Sequence, residues 1–198
     1  FTTVDGVRVI DSWQFATPDP LNPTVMVQVV ILPAAGSGDR ISLHRALWEV
    51  VVAAGLWESP LVPAEVGPRG VAKAVFWSDD PDERRENLAK YRVPIVLACH
   101  YGNADLTTFR LDHRARDLDH LTRLTSAAGG LMTLLPFRMQ RGDAKGRYYQ
   151  ALSVSVRDTM AHAPAGKQKL EDLGEACEVL KIDVPDHWKS RMTDYRTQ

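Results

Sequence analysis

The chain has 198 residues, 25% of them charged, and its 24 lysines and arginines nearly balance its 25 aspartates and glutamates, for a net charge of −1. This length is typical of one domain, or of one domain with a sizeable insertion, and suffices for a real hydrophobic core. The even balance excludes a surface that is basic all over, but it does not exclude an enzyme that binds a nucleic-acid end and holds metal with carboxylates.

Cysteine content and hydropathy bear on the environment of the chain. Cys99 and Cys177 form neither a CxxC pair nor zinc-ligand spacing, which favours a reducing cytoplasm. The longest apolar run is interrupted by Gln28 and Pro33, so we expect no membrane span. The chain opens at Phe1 without an initiator methionine or a signal-peptide pattern, so we interpret it as a segment of a longer cytoplasmic polypeptide.

The first third of the chain predicts a hairpin and a helix. β-branched and aromatic residues favour strands over residues 6–16 and 24–32, and the prolines between them favour a turn, so we expect an antiparallel hairpin. Apolar residues at helical spacing predict a helix over residues 41–57, capped by Asp39 or Ser42.

The next stretch is less regular. Three prolines and two glycines predict a loop over residues 58–70. Residues 71–77 fit a strand or a helix equally well. Residues 79–91 carry acids early and Lys90 late, which complements the dipole of a helix.

Residues 95–109 are the stretch around which the chain is organised. The apolar run 95–99 predicts a short strand buried on both faces. His100 and Asn103 follow with turn chemistry, and Asn103 is placed to cap a short helix whose first turn contains Asp105. Ligands bind at the carboxyl ends of strands in open α/β sheets, so this carboxylate is a candidate metal ligand.

Asp105 also has a simpler interpretation. An acid in a first helical turn is favoured because it complements the helix dipole. Residue types alone favour this role at the helix dipole over metal binding. A family resemblance carried by further motifs favours metal binding instead.

Two polar segments follow. Residues 110–120 alternate in charge, but their histidines and aspartates fit neither zinc nor calcium spacing, so we interpret them as a solvated surface. A basic, glycine-bearing loop comes later, and two interpretations of it stay open: contact with a nucleic-acid backbone with stacking of a base, or an ordinary solvated hairpin tip. Its candidate binding residues are Arg138, Arg141, Lys145, Arg147 and Tyr148.

The last part of the chain predicts a strand and a helix. Residues 152–159 alternate as a strand that ends in Asp158, for which we expect a structural role. Residues 169–179 predict an amphipathic helix, and a loop then leads to a last helix that is cut off near Gln198.

The order of these elements and their motifs resembles a known family. The segment His-Tyr-Gly-Asn-Ala-Asp105-Leu, the strand ending Arg157-Asp-Thr-Met, and the run Lys169-Leu-Glu-Asp-Leu-Gly-Glu-Ala followed by Leu180-Lys-Ile-Asp-Val-Pro resemble the proofreading 3′–5′ exonuclease domain of family B DNA polymerases. The plasmid, organellar and viral branch is the most similar. The resemblance implies an α/β fold with a ribonuclease H-like mixed sheet flanked by helices, as in the DnaQ-like (DEDD) exonucleases, over one domain of residues 1–198.

The resemblance also implies a chemistry. In this family, carboxylates from three short motifs hold two metal ions that support hydrolysis of a phosphodiester at a DNA 3′ end. Asp105 matches the second-motif aspartate, which implies a ligand of Mg²⁺ or Mn²⁺, and His100 and Asn103 would orient water or substrate beside it.

The departures from the family pattern limit the expectation. The first motif, Asp-x-Glu, would precede Phe1, and the third would follow Gln198, so the segment lacks the family's first strand and last helix. We therefore expect a flanking polypeptide or a partner chain to complete the sheet, and we expect the segment alone to be inactive as a nuclease.

Two alternatives of other classes stand beside this hypothesis. One is a catalytically inactive exonuclease-like module that binds nucleic acid or a protein partner. The other is an unrelated α/β enzyme, which an all-parallel sheet without the hairpin over residues 6–32 would favour.

Overall fold

The structure, a computed structural model, describes residues 2–4, 7–10, 12–33, 40–100, 105–106, 108–109, 137–143, 145–159 and 169–178. Its strands are β1 Thr2–Val4, β2 Val7–Val9, β3 Trp13–Pro18, β4 Met26–Ile31, β5 Val66–Gly67, β6 Gly70–Ala72, β7 Val93–Cys99, β8 Phe137–Gly142 and β9 Tyr148–Asp158. Its helices are α1 Leu43–Ala53, α2 Lys73–Phe76, α3 Pro81–Lys90 and α4 Leu170–Ala176, with a 3₁₀ helix at Leu56–Glu58.

The predicted hairpin is present, with shifted limits. Strands β3 and β4 pair antiparallel from Trp13–Ile31 to Pro18–Met26. Asp19 shapes the turn, because its Oδ1 accepts the backbone N–H groups of Leu21 and Asn22 at 2.8 and 3.0 Å. Residues 7–9 do not extend this hairpin as expected but pair with β1.

Helix α1 begins where the sequence indicates. Ser42 caps it, accepting the N–H of Arg45 at 3.2 Å. One side of α1 is apolar and buried, and Trp48 on it donates its indole N–H to the carbonyl of Pro68 at 3.2 Å.

The prediction of a loop over residues 58–70 is partly wrong. The segment ends in a tight antiparallel hairpin of β5 and β6 whose second strand pairs with β9. Residues 71–77, which fitted a strand or a helix equally well, contain both, since β6 leads directly into α2. The helix predicted after it is α3, capped by Asp80 with Pro81 in its first turn.

The main sheet is mixed, with strand order β5-β6-β9-β7 and with β8 paired to β9. Strand β7 runs parallel to β9, while β6 and β8 run antiparallel to it. The expected α/β class, the antiparallel hairpin and the parallel strand at 95–99 are therefore confirmed, and an all-parallel sheet is excluded.

Strand β7 is not buried on both faces, contrary to expectation. Val93 is 1% exposed and faces the core, whereas Val96 on the opposite face is 70% exposed. The reason is that the described core packs on one side of the sheet only: α1 contributes Leu47 and Val51, and β9 contributes Leu152, Val154 and Val156. Among the described residues, no helix is long and apolar enough to cross a membrane.

Candidate functional site at the carboxyl ends of two parallel strands

Strands β7 and β9 end at the same edge of the sheet. They run parallel, and their last paired residues are Cys99 and Asp158. The carboxyl ends of parallel strands bring the following residues together, and this edge is the usual ligand crevice of α/β sheets. The edge therefore joins the predicted 100–105 segment to the 158–159 segment.

Hydrogen bonds connect these two strand ends. The Thr159 hydroxyl donates to the carbonyl of Cys99 at 3.1 Å, and the same oxygen lies 2.9 Å from His100 Nδ1. Because a carbonyl can only accept, the hydroxyl hydrogen is used by Cys99, and Nδ1 of His100 must be the donor to Thr159. The His100 ring is thus fixed in orientation beside the strand ends.

Asp105 lies in an environment that disfavours its charge. Its side chain reaches the surface, yet its carboxyl group is partly desolvated, and this desolvation raises its pKa. The negative charge of Asp158, which is 2% exposed, raises the pKa further, and His100 acts in the opposite direction. A carboxyl group in a crevice whose pKa is raised by desolvation and by a neighbouring negative charge is a recognised mark of functional sites.

The pKa of Cys99 is raised by the same surroundings. Burial, with the charges of Asp158 and Asp105, raises the pKa of its thiol to about 12. The sulfur lies 3.7 Å from the carbonyl of Arg157, to which it donates. Cys99 is therefore a protonated, unreactive thiol at neutral pH rather than a nucleophile.

The segment that bears Asp105 is fixed to the β3–β4 hairpin. Thr108 donates its hydroxyl to the carbonyl of Asp105 at 2.6 Å and accepts the indole N–H of Trp13 at 3.2 Å. The rings of Trp13 and Phe109 stack with centroids 6.0 Å apart, and both side chains are buried. Trp13 therefore holds the position of Asp105 from a distant part of the chain.

A groove of about 740 Å³ opens beside this site, lined by β3, β7 and Asp105. Every residue of β7 from Pro94 to Cys99 lines it. Since neighbouring residues of a strand point to opposite faces, this pattern means that the groove runs along a strand edge. Among the described strands, β3 pairs only with β4 and β7 only with β9, so an unpaired edge of each faces the groove.

The described residues are only a partial metal site. Asp105 offers the hard oxygen ligands that Mg²⁺ and Mn²⁺ prefer, and a cation would relieve the charge that raises its pKa. However, no group of three or more His, Cys, Asp or Glu side chains suited to a metal occurs in the described part of the chain. The described part of the chain thus offers one ligand, and the others would have to come from outside it.

The five basic-loop candidates do not form one surface. Arg138 and Arg141 lie on strand β8, three residues apart and hence on opposite faces. Burial lowers the pKa of Arg92, and Arg138 lies close enough to lower it further. Lys145 lies in the turn between β8 and β9, while Arg147 and Tyr148 line a second concavity with Lys73 and Trp77.

One site residue, Thr159, was not a candidate in the sequence analysis, and for Asp158 we expected a structural role. Asp158 ends an alternating strand and Thr159 follows it, but the alternation did not indicate that this strand would pair in parallel with β7. The sequence showed only polar residues at the end of a strand. Such residues indicate a site only when a second, parallel strand is known to end at the same edge of the sheet. Asn103 and residues 110–136 lie outside the described residues, so the expectations for them stay predictions.

Searches of protein-family models, curated proteins and solved structures found no match to this chain.

Proposed function

We propose that the chain is the exonuclease module of a DNA polymerase or of a related nuclease, hydrolysing phosphodiesters at a DNA 3′ end with Mg²⁺ or Mn²⁺. The observation that carries the proposal is the raised pKa of Asp105, caused by desolvation and by Asp158, at the carboxyl ends of two parallel strands. The family resemblance supplies the reaction class and the ribonuclease H-like description of the sheet.

The site residues have separable roles in this proposal. Asp105 supplies one carboxylate to the metal, and its backbone is positioned through Thr108 and Trp13. His100, oriented by Thr159, and Asn103 would orient the attacking water or the terminal nucleotide. When bound, the metal ions supply an activated water and stabilise the departing oxygen.

The groove between β3 and β7 supports the second part of the proposal, a flanking polypeptide or partner chain that completes the sheet. Among the described strands, two unpaired edges face one space, and such edges are templates for an added strand. Val96 and Leu61 line the groove at 70% and 77% exposure, and an added strand would cover this apolar surface. A strand placed there ends near Asp105 and could deliver further carboxylates to it.

The test uses a longer polypeptide that contains this chain and both flanking motifs. Asp105→Ala should abolish metal-dependent 3′ trimming of a labelled oligonucleotide and leave the circular dichroism spectrum unchanged. Asp82→Ala is the matched control, because Asp82 is an exposed acid in the first turn of α3, where it complements the helix dipole and pairs with Arg85. Full trimming by the Asp105→Ala protein would refute the proposal.

The 198-residue chain by itself provides a second test. It should show no nuclease activity, since the described residues supply too few carboxylates for two metal ions. Robust cleavage by this chain in Mg²⁺, lost in EDTA, would overturn the assignment of its motifs.

A catalytically inactive module that binds nucleic acid or a protein partner is the second candidate. The observation favouring it is the incomplete ligand set in the described part of the chain. The longer polypeptide separates the two functions: binding of an oligonucleotide without any trimming in Mg²⁺ or Mn²⁺ would favour this candidate.

A further inference from the structure

A cationic and aromatic surface lies at the amino end of β9, at the opposite end of that strand from Asp158. We define this Trp77 surface by Arg69, Lys73, Trp77, Arg84, Arg147 and Tyr148. We propose that the Trp77 surface binds the backbone and bases of single-stranded nucleic acid. The inference rests on the proposed function in one respect, because it takes nucleic acid to be the ligand of the chain.

Three of the four cations of this surface lie over its aromatic rings. Lys73 Nζ lies 4.8 Å from the centre of a Trp77 ring, and the guanidinium carbon of Arg84 lies 5.0 Å from a Trp77 ring. Arg69 stands 5.0 Å from the centre of the Tyr148 ring. Cations over aromatic faces are attracted by the ring quadrupole, so these charges have defined positions on the surface.

Hydrogen bonds also connect the backbone segments beneath the surface. The N–H of Lys73 donates to the carbonyl of Arg147 at 2.7 Å, which ties the start of α2 to the β8–β9 turn. Within that turn the Asp143 carboxylate accepts the N–H groups of Arg147 and Tyr148, and the Gly146 N–H donates to the Asp143 carbonyl at 3.0 Å. Ligand groups on such a base need little further ordering when they bind.

The charge of the surface is available to a ligand. The two acids in the first turn of the adjoining helix α3 have other partners: Asp82 pairs with Arg85 at 3.2 Å, and Glu83 accepts the Ser78 hydroxyl at 2.6 Å. Among the described residues, no carboxylate lies within 4.0 Å of the charged groups of Arg69, Lys73, Arg84 or Arg147. Such a group of cations binds phosphates.

The shape and the exposed tryptophan favour a single strand over a duplex. A concavity of about 540 Å³ is lined by Lys73, Trp77, Arg147 and Tyr148, and Trp77 is 47% exposed. Aromatic side chains beside a basic groove stack with unpaired bases of any sequence, whereas the bases of a duplex are stacked on one another.

This surface is separate from the proposed site of hydrolysis. Strand β9 has 11 residues, so its two ends lie about 33 Å apart at the usual rise of a strand. The Trp77 surface would therefore contact a part of the strand remote from its 3′ end.

The test measures binding of a fluorescent oligothymidylate of about twelve nucleotides to the 198-residue chain by anisotropy, in EDTA and at several salt concentrations. Trp77→Ala should weaken binding about five- to hundredfold, the range found for loss of a stacked base, and Trp77→Phe should restore most of it. Arg84→Ala should also reduce the salt slope by about 0.7, the value for one phosphate contact of a single strand.

Arg85→Ala is the matched control, because Arg85 carries the same charge on the same helix but faces Asp82; it should leave affinity and slope unchanged. Unaltered binding by folded Trp77→Ala and Arg84→Ala proteins would overturn the inference. So would equal losses in the Arg84 and Arg85 variants, or polyglutamate competing as well as the oligonucleotide, since both would indicate a general anion surface.

Because EDTA removes the metal, this result is independent of the trimming test. Binding through the Trp77 surface without any trimming by the longer polypeptide would refute the proposed function alone. Trimming that depends on Asp105, with binding that ignores Trp77, would refute this inference alone.

Discussion

Desolvation raises the pKa of Asp105, and the charge of Asp158 raises it further, although the two residues are 53 positions apart in the chain. The link between them is the parallel pairing of β7 with β9, which ends at Cys99 and Asp158. A carboxylate whose charge is disfavoured by its surroundings costs stability, and proteins retain such groups where a cation or a proton is handled.

The first prediction follows from that cost. Asp105→Asn should stabilise the 198-residue chain at neutral pH, because it removes a partly desolvated charge close to Asp158. Urea unfolding at pH 7 measures the change in free energy. Asp82→Asn, which removes a first-turn acid of α3, should be slightly destabilising instead.

The second prediction is the pH dependence of that stabilisation. The folded pKa of Asp105 is raised above 3.8, so between 3.8 and the folded pKa the native state binds more protons, and stability falls as pH rises through this window. The advantage of Asp105→Asn should therefore be full above the folded pKa and vanish below pH 3.8. An advantage that is the same at every pH would contradict the electrostatic cause.

The third prediction concerns the two cysteines. Cys99 has a pKa of about 12 against an ordinary 9.0, so its thiolate fraction at neutral pH is lowered about a thousandfold. Iodoacetamide should label the exposed Cys177 readily and Cys99 about a thousand times more slowly, with a Cys99 rate that rises tenfold per pH unit. Cys177→Ser isolates the Cys99 rate; fast labelling of that variant in its folded state would disprove the protonated thiol.

Local signals in the sequence were sufficient for several elements. Ser42 caps α1 and Asp80 with Pro81 starts α3, because capping depends on residues within one turn. The alternation of β3 and β4 and the turn at Asp19 likewise fix a hairpin from neighbouring residues. The position of Asp105 after a strand was visible for the same reason.

Features that depend on distant partners were not predictable. From the apolar run 95–99 we expected β7 to be buried on both faces. The exposure of Val96, however, depends on which elements pack over it. We placed Arg138 and Arg147 in one candidate binding loop because they are close in sequence, whereas in the fold Arg147 lines a concavity with Lys73 and Trp77. Asp158 gained its role only through the pairing of β9 with β7.

The fourth prediction tests how Asp105 is positioned. Trp13→Phe keeps an aromatic ring against Phe109 but removes the indole N–H that Thr108 accepts, so it should cost about 1 kcal/mol. Phe109→Ala removes a buried ring and should cost about 3–5 kcal/mol. Thermal or urea unfolding measures both values, and a larger loss from Trp13→Phe than from Phe109→Ala would reverse the assigned importance of the two contacts.

The fifth prediction concerns Gly70, which links β6 to the sheet. Its φ is +98°, a conformation that other residues rarely adopt, and a Cβ atom there would lie 2.2 Å from the carbonyl oxygen of Tyr149. Both effects act on rigid backbone, so Gly70→Ala should destabilise the chain by at least about 2 kcal/mol.

Two other glycines separate the causes of that loss. Gly146→Ala introduces strain at a φ of +64°, but its Cβ meets no atom of the described residues within 4 Å, so it should cost about 1–2 kcal/mol. Gly67→Ala also meets no atom of the described residues within 4 Å and has no positive φ, so it should change stability by less than about 0.5 kcal/mol. Urea unfolding should therefore rank the losses Gly70, Gly146, Gly67. A loss at Gly70 no greater than that at Gly146 would mean that β6 moves away from Tyr149 without cost, and that its pairing with β9 contributes little to the fold.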